Sequence, residues 1–194
     1  MFERFLFLAL FATFACTSSL KAASISRVEE LLKSSRSEQV KQREIASFCY
    51  AQFLSSADND QTAATILDLA GKYELEGRQE LGMFIEVLVH RRKMELNDAD
   101  RLLKRGIAIA TQHQQPIFLY HFHLNQAYVQ TDLGNPLKAV YHYRYARKVA
   151  EELNLTDYLI STDIGISDIY MNIGFYPQAM EYLAQAQQVF DQQK

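Results

Sequence analysis

The chain has 194 residues, with 48% hydrophobic and 22% charged side chains and a formal net charge of −3. This is the composition of a folded chain rather than a disordered one, without the basic excess that makes nucleic acid a main partner and too weakly acidic for a solvating tail. Gly (7) and Pro (3) are scarce, which argues against a sheet-rich fold built on many tight turns.

Residues 1–23 read MFERFLFLALFATFACTSSLKAA. A short start carrying Arg4 precedes an uncharged run from Phe5 to Cys16. The run is well short of the roughly 20 apolar residues that span a bilayer, and a zone of small residues follows it. That is the layout of a secretory signal peptide, and it predicts a body that lies outside the cytoplasm, in the periplasm or an equivalent compartment. Two processing routes fit: cleavage after Ala22, or lipidation of Cys16, although Thr13 stands where a lipoprotein junction favours an aliphatic residue. Contact with a membrane is expected only through such a lipid or through a segment downstream of this sequence. The second cysteine, Cys49, sits in the apolar stretch Ala46-Ser47-Phe48-Cys49-Tyr50 and reads as a buried, inert thiol, so no disulfide framework is expected.

Residues 24–37 read as a short helix and a linker, and residues 38–194 as a repeat array of about four helix pairs. Ala99, Ala139 and Ala179 are forty apart, and Gly106, Ala146 and Ala186 follow each of them at seven. In the last copy Ala179, Tyr182, Leu183, Ala186, Val189 and Phe190 form a single stripe on an α-helix. Small residues on such a stripe let two helices approach closely. An older copy, offset by thirty-six, carries Ala63, Leu67 and Ala70. Gly134 and Gly174 punctuate the copies as helix-ending residues that tolerate φ > 0, Asn135 is placed to cap, and Pro136 and Pro177 open the next helices. The pattern predicts helix, tight turn, helix, looser turn.

Ile166, Ser167, Tyr170, Gly174, Tyr176, Ala179, Leu183 and Ala186 resemble the tetratricopeptide repeat family, including its Gly-x-Tyr-x-x-Ala inter-helix segment. The copy through Ala127, Gly134, Ala139, Tyr143 and Ala146 resembles it too, with Gln130 and Pro136 standing where aromatics are usual. The likeness spans about residues 38–192, but the period is 40 here against 34 in the family. It implies an all-α fold, a superhelical array of antiparallel helix pairs. The short helix before the array resembles the extracytoplasmic region of bacterial sensor proteins, which implies either a binding scaffold or the input region of a sensor histidine kinase or diguanylate cyclase encoded downstream. The last helix leaves an apolar face without a following helix, so self-association through it is a further expectation.

The resemblance also implies a concave groove lined by the first helix of each pair, holding a protein or peptide. Carried over by position, its lining is Phe48 and Gln52; then Phe84, Leu88, Arg91 and Arg92; then His121, Leu124, Asn125, Tyr128 and Asp132; then Ile164, Asp168 and Asn172. Phe48, Phe84 and Leu124 read equally as core, while Tyr128, Asn125 and Asp132 are the trio expected to be exposed. The run Arg91-Arg92-Lys93 suits either a helix C-terminus or an anion-recognising corner. No metal site is expected: the five histidines include no i, i+4 pair, and His121 and His123 point about 200° apart on a helix. With no glycine-rich phosphate loop and no GxSxG elbow, neither a cofactor nor catalysis is expected.

Overall fold

The computed structural model describes residues 25–54 and 60–192; residues 1–23, with Cys16 and the cleavage assignment, lie outside the described residues. Among these residues there are nine helices and no strand. Helix α1 covers 25–33. It is followed by α2 (Glu38–Phe53), α3 (Asp60–Lys72), α4 (Arg78–Arg92), α5 (Leu96–Gln112), α6 (Pro116–Asp132), α7 (Pro136–Glu152), α8 (Thr156–Asn172) and α9 (Tyr176–Asp191). Consecutive helices from α3 to α9 pack on one another, giving the expected array of antiparallel pairs.

The turns obey a stricter rule than the sequence suggests. Glu74, Met94, Gln114, Gly134, Asn154 and Gly174 all have positive φ, between 52° and 81°, and stand twenty residues apart. In each turn this residue donates its N–H to the carbonyl three residues back, and the next residue donates to the carbonyl five back. That pair of bonds satisfies two carbonyls otherwise orphaned at a helix end. From α4 onward, turns within and between pairs are therefore built alike, and the expected alternation of tight and looser turns is corrected there to one turn repeated; the α3–α4 turn is longer and has a second left-handed residue, Gly77 at φ 75°. The period of forty is two equal steps of twenty. Asn135 occupies the N-cap position, but its side chain makes no capping bond; the helix starts instead with Pro136 at its first turn, as α6 does with Pro116 and α9 with Pro177.

The small-residue stripe does what its spacing implies. Ala99, Ala139, Ala146 and Ala179 have no exposed surface. A Cβ on Gly106 would lie 2.9 Å from carbons of the Phe122 ring, so the missing side chain on α5 is what lets that ring seat fully. Buried polar groups tie neighbouring helices. Asp100 of α5 accepts from Gln126 and Gln130 of α6 at 2.5 and 2.6 Å. Asp163 of α8, with no exposed surface, pairs with Arg147 of α7 at 2.6 Å, and Arg147 reaches Gln185 of α9 at 3.2 Å.

The first pair departs from a simple stack. Helix α2 contacts both α4 and α6. Gln42 of α2, almost fully buried, donates to Glu76 O at 2.9 Å and to Gln115 Oε1 at 2.8 Å. Helix α6 is consequently buried on nearly every side, from Ile117 to Gln130, with only Leu119 and Tyr128 partly open.

No atom lies within 4 Å of a Cβ built on Gly134, so a substitution there reports the backbone alone. Gly134→Ala is expected to destabilise the protein by about 1–2 kcal/mol, the usual penalty for a left-handed residue with a side chain. Gln114→Gly, at the equivalent turn, is expected to stabilise it by about 0.5–1 kcal/mol once the looser unfolded chain is counted. Urea unfolding midpoints of the two variants measure both.

Candidate functional site

The groove implied by the resemblance divides into a buried part and an open part. Phe84 and Leu88 have no exposed surface, Asn125 has none, His121 is 2% exposed and Leu124 is buried. Their assignment to a lining is corrected: α2 lies across α4 and α6 and fills the concave face there. Tyr50 of α2 meets Phe84 edge-on at 5.1 Å and lies 5.4 Å from the His121 ring. His121 in turn contacts Phe84 and Tyr158. Asn125 is not at the surface, where the sequence predicts it: its amide donates to the Tyr50 hydroxyl at 2.5 Å and to His121 O at 2.6 Å.

Arg91 connects this buried cluster to the surface. Its Nη1 donates to Asn125 Oδ1 at 2.5 Å, and its guanidinium lies 4.6 Å over the Tyr128 ring. Its Nε is buried with no partner among the described residues, as is Nη1 of half-buried Arg92. Of the basic run, Arg91 thus serves inward contacts, while Lys93 is exposed.

Beyond Tyr128 the groove opens. A cavity of about 380 Å³ is lined by Tyr128, Tyr143, Asp157, Ile160, Ser161, Ile164, Gly165 and Asp168. Three predicted residues, Tyr128, Ile164 and Asp168, come together here. Asp132 and Asn172 are exposed at the ends of α6 and α8 but outside this lining. Phe48 lines a different cavity, between α1, α2 and the start of α8. Gln52 is half-buried on α2 and lines neither.

Tyr143, Asp157, Ile160, Ser161 and Gly165 were missed, and Gly165 carried a usable signal. A glycine inside a helix costs about 1 kcal/mol relative to alanine, so its presence calls for a close neighbour. That neighbour is Tyr143, whose ring carbon would sit 2.5 Å from a Cβ on Gly165. Electrostatically the cavity is mixed. Burial raises the Tyr143 hydroxyl well above its ordinary range, with Arg91 acting downward and Asp168 upward through their charges. Two carboxylates at the wall and one guanidinium at the edge make the open part a cation-accepting surface with an aromatic floor.

Two clusters of titratable groups lie elsewhere. His90, Glu95 and Asp98 place their ligand atoms within 4.8 Å of one another across the α4–α5 turn, a grouping invisible to a search of histidine and cysteine spacings. His90 Nδ1 is already 2.6 Å from Glu95, and Asp98 pairs with Arg101. His123 and His142 approach through their Nδ1 atoms at 3.1 Å between α6 and α7.

No family model and no curated protein matches the chain. Among solved structures, a Rap protein complexed with competence and sporulation factor matches with a TM-score of 0.63 at 19% identity, over 85% of this chain and 43% of that one. At this identity the likeness concerns the fold, and the fold is that of a helical repeat protein. The chain spans less than half the length of this neighbour.

Burial holds His121 down to about 3 and His123 to about 4. Both are neutral in the folded protein, whereas in the unfolded chain each takes a proton near pH 6.5. Their contribution to stability is therefore present above pH 6.5 and is lost as the pH falls towards 4, by about 1.4 kcal/mol per pH unit for each histidine. Urea midpoints at pH 7, 6 and 5 should fall steeply, and His123→Gln should make the fall shallower.

Proposed function

We propose that this chain is an exported binding module of tetratricopeptide type, without catalysis of its own, that holds a peptide in the groove between α6, α7 and α8. The observation that carries this reading is the open cavity itself. Tyr128, Tyr143 and Ile164 offer apolar surface, Ser161 offers a hydroxyl, and Asp157 and Asp168 offer charge. A peptide with an apolar or aromatic residue beside a lysine or arginine satisfies the apolar surface and the charge, in the mixture of apolar anchoring and polar register typical of peptide grooves. The Rap neighbour, a helical repeat protein complexed with a named factor, supports a binding role for this architecture. Export rests on the leader at residues 1–23. Together they favour the input region of a signalling protein, with the sensor histidine kinase and diguanylate cyclase classes as the outputs such a region serves.

A second reading, self-association, is favoured by exposed apolar residues on α9: Tyr176 and Met180 are each 60% exposed and Leu183 38%. A mass that rises with concentration, and falls back in Met180→Glu, would support it.

Heptapeptides selected from a random phage library on the immobilised protein test the groove. The binders are expected to be enriched in lysine or arginine next to an apolar residue. Asp168→Asn and Ile164→Glu should each weaken them about tenfold, or roughly 1.4 kcal/mol, with helix content by circular dichroism unchanged. Undiminished binding in both variants would place the ligand elsewhere.

A further inference from the structure

A second cavity, larger than the peptide groove, lies elsewhere among the described residues. It is a cleft of about 680 Å³ formed where α1 and α2 approach the first turn of α8, a size within the usual range of small-molecule sites, roughly 300–1,000 Å³. Three guanidinium groups face it, from Arg27, Arg36 and Arg43. Arg36 is neutralised by an ion pair with Glu44. Arg27 and Arg43 form no ion pair with any described residue. Against these two stands one carboxylate without such a pair, Asp157. The cleft therefore keeps a positive surplus beside an apolar wall of Leu31, Phe48 and the Tyr158 ring.

The lining is poorly suited to an extended peptide. It contains no asparagine or glutamine, and its two hydroxyls are engaged: Ser47 donates to Arg43 O at 3.0 Å, and Tyr158 bonds His121 at 3.1 Å. Peptide N–H groups entering it would mostly lose water without gaining an acceptor, which is costly. A ligand with a single anionic head and an apolar body brings in no unpaired polar group of its own, because its carboxylate accepts from guanidinium groups in strong charge-assisted bonds.

We infer that this cleft binds a small amphipathic organic anion of the alkyl carboxylate class, with its head on Arg27 and Arg43 and its chain along Leu31, Phe48 and Tyr158. Such a ligand touches α1, α2 and α8 at once. It joins the beginning of the array to its last pair, so binding stabilises the fold and fixes the pitch of the superhelix. This cleft shares Asp157 with the proposed peptide groove but takes its head-group partners from α1 and α2, so it can be tested apart from that reading.

Sodium octanoate, titrated into the full chain by calorimetry and by thermal unfolding, is the test, with 1-octanol and octylammonium chloride as probes of equal chain length. Octanoate is expected to bind saturably, at least tenfold tighter than octanol, and to raise the unfolding temperature, while octylammonium does neither. Arg27→Gln and Arg43→Gln should each weaken octanoate about tenfold. Because neither arginine pairs within the described fold, both variants should keep the parent's helix content, and Arg105→Gln on exposed α5 should bind like the parent. Absence of octanoate binding, equal binding of octanoate and octylammonium, or unchanged affinity in both cleft variants would overturn the inference.

Discussion

One backbone constraint sets the architecture: every twenty residues, from Glu74 to Gly174, a residue turns left-handed just past the end of a helix. Helices α5 to α8 are consequently all seventeen residues long, about 25 Å at the usual rise. Equal lengths and equal turns bring each helix back along the one before it, and the small residues at Ala99, Gly106, Ala139, Ala146 and Ala179 let the axes close up. The bonds in each turn are local, so the array is specified step by step rather than by distant contacts. Non-local specificity comes from buried polar ties such as Arg147–Asp163 and Asp100 with Gln126 and Gln130. Breaking any of these leaves a desolvated group without its partner.

The second determinant is where α2 goes. An open array would leave the inner faces of α4 and α6 in solvent. Here Tyr50 packs against Phe84 and His121 and accepts from Asn125, so that stretch is interior. The concave surface left open is the one α8 helps to form. Arg91 stands at the boundary, bonded to Asn125 on the buried side and stacked on Tyr128 at the open one.

Much of this was legible in the residues. The stripe at Ala179, Leu183 and Ala186, the glycines at 134 and 174 and the prolines that open helices announce antiparallel pairs. The period of twenty was hidden because three of its six turn positions are Glu74, Met94 and Gln114, residues that carry no turn signature and are held left-handed by the paired bonds around them; Asn154, a residue that tolerates this conformation, was a usable signal. For the site, Tyr128, Ile164 and Asp168 were legible as positions on the inner stripe of successive first helices. Phe84, Leu88, His121 and Asn125 occupy equivalent positions, and helical register alone cannot say that another helix covers them. Tyr143 lies on a second helix of a pair, outside the positions the groove rule considers. It reaches the cavity only because Gly165 has no side chain.

The division between covered and open concave surface is the claim on which the functional reading depends. Hydroxyl-radical footprinting of the protein, free and with a selected heptapeptide, measures it residue by residue. Tyr128 and Ile164 should be oxidised in the free protein and protected by the peptide, while Phe84 and Leu88 stay silent in both states. Oxidation of Phe84 or Leu88 in the free protein, with protection on binding, would show that α2 does not close that face and that the ligand runs along α4 and α6 instead.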